Sequence, residues 1–282
     1  MRNQIIEFYN DPDFQRLNSY YNRTTIFNIL NIERRELSHS AFLKWLFDIN
    51  GSHNFGEEPL KKLLRMLVNT DNDNILSEDI LNILLIGDYE IQNFHIETEK
   101  VVESDKNKGR IDIFAKFNIF KENSEKDFKK DIIVIIENKV DSKHHDDQTT
   151  TYKEWAEKKY NESVIIPIYL TPYPENEKNE IANYFIITYQ DVLEHVIEPL
   201  LNMEMDTDTK IILEDYIINL GQAKKQIDDN GKMSKAEMLE WDKKRLAQIH
   251  SIAKSYTSEY TQSGKILYYL DANGKYDSIA RL

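Results

Sequence analysis

The ten residues DIIVIIENKV, positions 131–140, constrain the fold of this chain most. Ile132, Ile133, Val134, Ile135 and Ile136 form an unbroken apolar, β-branched run. Without polar alternation, it reads as a strand buried on both faces. A sheet covered on both faces belongs to an α/β layering. The run then ends in Glu137, Asn138 and Lys139. A strand that reaches the surface there would end this way. So would a strand whose end carries a catalytic pair.

The flanking patterns fill in the architecture. ELSHSAFLKWLFD (36–48) has helical spacing, and a second helix is expected near 58–69 after the turn GSHNFG. A short helix follows at 77–86, capped by Ser77. The period then changes to two. Strands are expected at 89–102, 109–117 and 131–140, with the charged segment 121–131 as a turn. Acids in the first turn and lysines in the last favour a helix at 146–160. Further strands are expected at 163–172 and 184–189, then helices at 189–203, 208–227 and 234–262. On the last helix Leu239, Leu246, Ile249, Ala253, Tyr256 and Tyr260 make one stripe, a core or dimer contact. These patterns predict an α/β core over 1–203 with a helical C-terminal extension over 204–282.

Composition narrows the function classes. No apolar run is long enough to cross a membrane, and the N-terminal MRNQIIEFYNDPDF lacks the apolar core of a secretory signal. Cysteine is absent, which excludes disulfides, thiolate metal sites and cysteine nucleophiles and fits a cytoplasmic location. The net charge of −13 argues against a surface that coats nucleic acid broadly. The charge is uneven, however. Residues 221–254 are lysine-rich, so any contact with a phosphate backbone is expected in a local basic cleft.

Strand alternation brings chemistry to the strand ends. Glu137 and Lys139 share a face with Ile133 and Ile135, their Cα atoms roughly 7 Å apart. Arg110, Asp112, Phe114 and Lys116 share a face of the preceding strand. If the two strands pair, Asp112 comes beside Glu137. Two converging carboxylates repel, and a divalent cation removes that penalty. Oxygen ligands with waters suit Mg²⁺, and an adjacent lysine can position water or hold a phosphate. These parts fit metal-assisted phosphodiester hydrolysis.

RID at 110–112, IIENKV at 135–140 and QTTTY at 148–152 resemble the motifs of the PD-(D/E)XK nuclease superfamily. ELSHS (36–40) and YLTP (169–172) resemble a branch of bacterial nuclease-like proteins within it. Ile111 stands where the superfamily's proline often precedes the first acid. The resemblance implies a restriction-endonuclease-like core of helix, three strands, helix and strand, here with an extra strand. It implies Mg²⁺ or Mn²⁺ held by Asp112, Glu137, the Asn138 backbone carbonyl and Glu36. Lys139 would orient the hydrolytic water, Gln148 would orient Lys139 or the substrate backbone, and Tyr152 would support their helix. DNA is the implied substrate, with RNA as an alternative, and bacterial defence or a mobile element the implied setting. A homodimer through the C-terminal helices would permit cutting of both strands.

Blander readings stand beside these. Glu137 and Lys139 also suit a strand-end ion pair, Glu36 a first-turn acid serving its helix, and Glu97 and Glu99 a solvated face. His39 with Ser40, and His144 with His145, suit structural or solvated positions. His53 lies in a Gly-flanked loop that leaves its role open. A non-catalytic module of the same fold, binding nucleic acid or protein, is the rival function.

Overall fold

A computed structural model describes residues 10, 24–70, 75–103, 108–122, 127–140, 146–172, 181 and 183–228. The stripe at 239–260, most of the lysine-rich stretch, and His144 with His145 lie outside them. Two compact units divide the chain: Arg34–Glu214, and Met1–Glu33 with Asp215–Leu282.

In the larger unit, α2 (Glu36–Phe47), α3 (Glu58–Val68) and α4 (Glu78–Ile86) precede the strands, close to their expected bounds. Ser77 holds the N-cap position of α4, but its side chain makes no capping hydrogen bond. Then come β1 (Glu90–Glu103), β2 (Lys108–Lys121) and β3 (Phe128–Asn138). α5 (Asp146–Lys159), β4 (Val164–Thr171) and β5 (Phe185–Thr188) follow. The chain continues through α6 (Tyr189–Val192), a π-helical turn at Leu193–Ile197, α7 (Glu198–Leu200) and the first residues of α8 (Thr207–Asp228), which from Asp215 on belongs to the smaller unit. The described part of the smaller unit includes α1 (Ile26–Leu30), which the periodicity does not predict. Thr25 and Asn28 cap it reciprocally, its Ile26 N–H donates to Asp215 Oδ2 at 3.1 Å, and Phe27 packs on Tyr216.

The strands make one sheet in the order β1-β2-β3-β4-β5. β1, β2 and β3 are antiparallel neighbours, and β4 and β5 join in parallel. β2 and β3 are longer than expected, so Lys129 and Lys130 lie in the ladder rather than in a turn. They pair with Phe120 and Ile119 and stay exposed, because only the solvent end of the hairpin is extended.

β3 is buried without interruption from Ile132 to its end. One of its faces contributes Ile133 and Ile135 to a cluster with Phe114, Ile111, Val102 and the α5 residues Tyr152 and Ala156. On the other face Asn138 bonds to α2. This double cover is why a continuous apolar run is required. It also means that the polar end of β3 is desolvated wherever it points.

Candidate metal and phosphodiester site

In the β2–β3 register the last pair is Ile113 with Ile136, so the next position sets Asp112 opposite Glu137. Asp112 Oδ2 accepts the Asn138 N–H at 2.7 Å. Lys139 Nζ lies 2.7 Å from Glu137 Oε1. Glu137 is 2% exposed and Lys139 9%, so this is not a solvent-screened strand-end pair. Lys139 has just left the strand, and its own N–H donates to Leu170 O at 2.8 Å, which extends the β4 contact by one residue.

Glu36 arrives from α2. Its Oε1 accepts the Val140 N–H at 3.1 Å, so this carboxylate caps the end of β3. The Glu36 charge acts on Asp112, Glu137 and Lys139. Burial is the main cause that raises Asp112 to about 6; the Asn138 N–H and Lys139 oppose it, and Glu36 and Glu99 add to it. Burial, then the Asp112 charge, raises Glu137 to about 7 against the pull of Lys139. For Lys139, burial acts to lower the pKa, but Glu137, Asp112 and Glu36 together outweigh it and hold the ammonium charged. The charges of three carboxylates thus act on one buried ammonium, which is paired directly with Glu137.

The residues fit a divalent cation. Glu137 Oε2 is buried and has no hydrogen-bond partner among the described residues. A buried oxygen left bare is a feature that needs a reason, and oxygen donors of this charge suit a hard divalent cation. Among the described residues, no three His, Cys, Asp or Glu side chains are gathered closely enough to complete a site by themselves. A shell here therefore also needs backbone or water oxygens, which a hard cation accepts.

The remaining expected residues fall in different places. Tyr152 is buried in the cluster under the sheet, and its hydroxyl accepts the Arg110 N–H at 3.2 Å. Its ring lies so close to Gly109 that a Cβ there would sit 2.5 Å from Cε1, which explains the glycine. Tyr152 thus anchors β2 to α5. Gln148 is half-buried in the first turn of α5, and among the described residues no hydrogen bond joins it to Lys139 or the carboxylates. Thr149, next to it, accepts the Tyr184 hydroxyl on its carbonyl at 2.7 Å.

Of the histidines singled out in the sequence, His39 and His53 are described, and both are buried. His39 is buried edge-on against Tyr189. His53 is wedged between Trp45 and Phe55, its Nδ1 accepts the Phe55 N–H at 3.0 Å, and burial lowers its pKa.

Two groups differ from what the sequence assigned them, a backbone carbonyl for Asn138 and a solvated face for Glu99. The Asn138 side chain is wholly buried; its Nδ2 donates to Glu36 O at 3.1 Å and Ser40 Oγ at 3.0 Å, and its Oδ1 accepts the Tyr189 hydroxyl. It ties β3 to α2 and α6. The other is Glu99. Glu97 behaves as a solvated strand acid, bonded to Lys100 and His95. Glu99 instead sits opposite Asp112 in the β1–β2 register, where the ladder skips a pair. Its φ is 55°, left-handed, in mid-strand. Such backbone costs roughly 1–3 kcal/mol for a residue with a side chain.

A sheet of this topology, with an acid on its second strand facing Glu-x-Lys on its third, defines the restriction-endonuclease-like class of α/β proteins. The family model of the PD-(D/E)XK nuclease superfamily matches residues 24–218, and the chain belongs to that superfamily. Its members are generally nucleases and typically use divalent metals. No curated protein and no solved structure matches the chain significantly. No described helix is long and apolar enough to cross a membrane.

Proposed function

We propose that this protein is a Mg²⁺-dependent nuclease that hydrolyses phosphodiester bonds of DNA, with Mn²⁺ able to replace Mg²⁺, and that it serves in bacterial defence or a mobile element. The observation that carries the reading is Glu137: a buried carboxylate, opposite Asp112 and paired with Lys139, whose second oxygen has no partner among the described residues.

Asp112 and Glu137 would hold the ion with the Asn138 backbone carbonyl, and Glu36 would complete the shell. Glu36 now caps Val140, so it serves best through a water. A bound divalent ion acidifies water and neutralises phosphate charge. Lys139, held charged by its acidic neighbours, orients the attacking water and offsets the charge that develops on the phosphate. Gln148 stands at the start of α5, where it would orient Lys139 or the substrate backbone. Tyr152 keeps α5 on β2.

The test is cleavage of linear, circular and single-stranded DNA, and of RNA, by purified protein with Mg²⁺ or Mn²⁺. Lys139→Ala is the control. DNA cleavage lost in the control supports the reading. Equal cleavage by both proteins marks a contaminant and sinks it. The charge of −13 favours a second reading, a non-catalytic module that meets a protein partner. Calorimetric titration with Mn²⁺ separates the two. A working site binds the ion and loses it in Asp112→Asn, whereas a module of the second kind shows no such binding.

A further inference from the structure

Arg110 is two residues from Asp112 on β2 and shares its strand face. Its backbone is fixed: the N–H is bonded to Tyr152, and Gly109 before it is pressed under the Tyr152 ring. Its side chain is 66% exposed, and Nη1 lies 2.7 Å from Glu99 Oε2.

Stability does not account for this pair. An ion pair with one partner in solvent contributes little. Glu99 carries left-handed backbone in mid-strand, and it sets a second acid opposite Asp112 in the strand register. Strain and like-charge repulsion retained together, against a weak pair, mark a functional position. A guanidinium forks onto phosphate oxygens, and a weak carboxylate partner is readily exchanged for a phosphate.

We propose that Arg110 takes a backbone phosphate of the nucleic-acid substrate beside the acid pair, and that Glu99 parks the guanidinium there until the phosphate displaces it. The inference rests on the nuclease reading above and names the group of the substrate that this side of the site grips. Glu97, whose partners are Lys100 and His95, has no part in it.

The experiment is steady-state cleavage of a labelled DNA duplex in Mg²⁺ over a range of KCl concentrations. Arg110→Ala is expected to raise KM about 10-fold, to leave kcat within about threefold, and to reduce the salt slope of kcat/KM by about 1. Arg110→Lys keeps the charge, so the slope should stay and KM should rise less. Glu99→Gln should lower KM about threefold, and that gain should shrink when Arg110 is already alanine. Mn²⁺ titration of Arg110→Ala should match wild type, which a collapsed fold would not. If Arg110→Ala does not fold, Arg110→Lys and Glu99→Gln decide: unchanged KM in both overturns the inference. A wild type that cleaves, with Arg110→Ala matching its KM and slope, overturns the inference alone. A wild type that cleaves no nucleic acid overturns the nuclease reading as well.

Discussion

Glu137 and Asn138 are neighbours in the chain and are both almost wholly buried, yet they are served in opposite ways. On the α2 side of β3, the Asn138 amide gives both hydrogens to oxygens and receives the Tyr189 hydroxyl. On the α5 side, Glu137 has one oxygen on Lys139 and the other bare among the described residues. A polar network satisfied throughout rigidifies a core. A buried charge left half satisfied lowers stability, so its presence calls for a ligand. One side of the strand end is a strut and the other is a socket.

The largest expected effect tests the socket. Glu137→Gln and Lys139→Ala should each lower DNA cleavage by ~10³-fold or more while the far-ultraviolet circular dichroism stays native. Near-native cleavage in either variant would make the socket no more functional than the strut.

The next effect is pH dependence. Asp112 at about 6 and Glu137 at about 7 lie above their ordinary values, so the folded chain keeps protons that the unfolded chain has released. Through these two groups, metal-free stability should therefore be highest at acid pH, fall as pH rises from their unfolded values of 3.8 and 4.5, and level off above about 7, with a loss on the order of 3 kcal/mol between pH 5 and pH 8. Urea unfolding in chelator at pH 5 and pH 8 measures it. The double variant Asp112→Asn, Glu137→Gln should flatten this part of the profile, and Mn²⁺ should restore stability to wild type at pH 8. A metal-free protein more stable at pH 8 than the double variant would contradict the assignment.

The strut should show the reverse signature. Asn138→Ala strips partners from the Glu36 carbonyl, Ser40 and Tyr189, and should destabilise by about 2–3 kcal/mol with little change in the pH profile. Tyr189→Phe removes one donor from buried Asn138 and should destabilise by about 1 kcal/mol, read from the same urea curves. If Tyr189→Phe shifted the pH profile as strongly as Asp112→Asn, strut and socket would not be separable.

Much of this was legible in the chain. Strand alternation is a local property, so Glu137 and Lys139 could be set on one face from spacing alone, while Asp112 came beside Glu137 only on the condition that the two strands pair, which the register meets. Helix ends near 36 and 146 followed from the same local rules. The hairpin's true length was not legible, because Lys129 and Lys130 carry no strand preference and enter the ladder only through pairing with β2. α1 was missed because its five residues are too few to show a period.

By itself the sequence determined the doubly covered strand and the order of the acid, glutamate and lysine, because both follow from residue type and the pleat. Only the tertiary structure decided which polar groups are satisfied. Ser40, Tyr189 and Glu36 reach Asn138 from distant parts of the chain, and Arg110 and Glu99 meet across two strands. Desolvation and partnering are sums over everything packed around an atom, and no local pattern of residues encodes them.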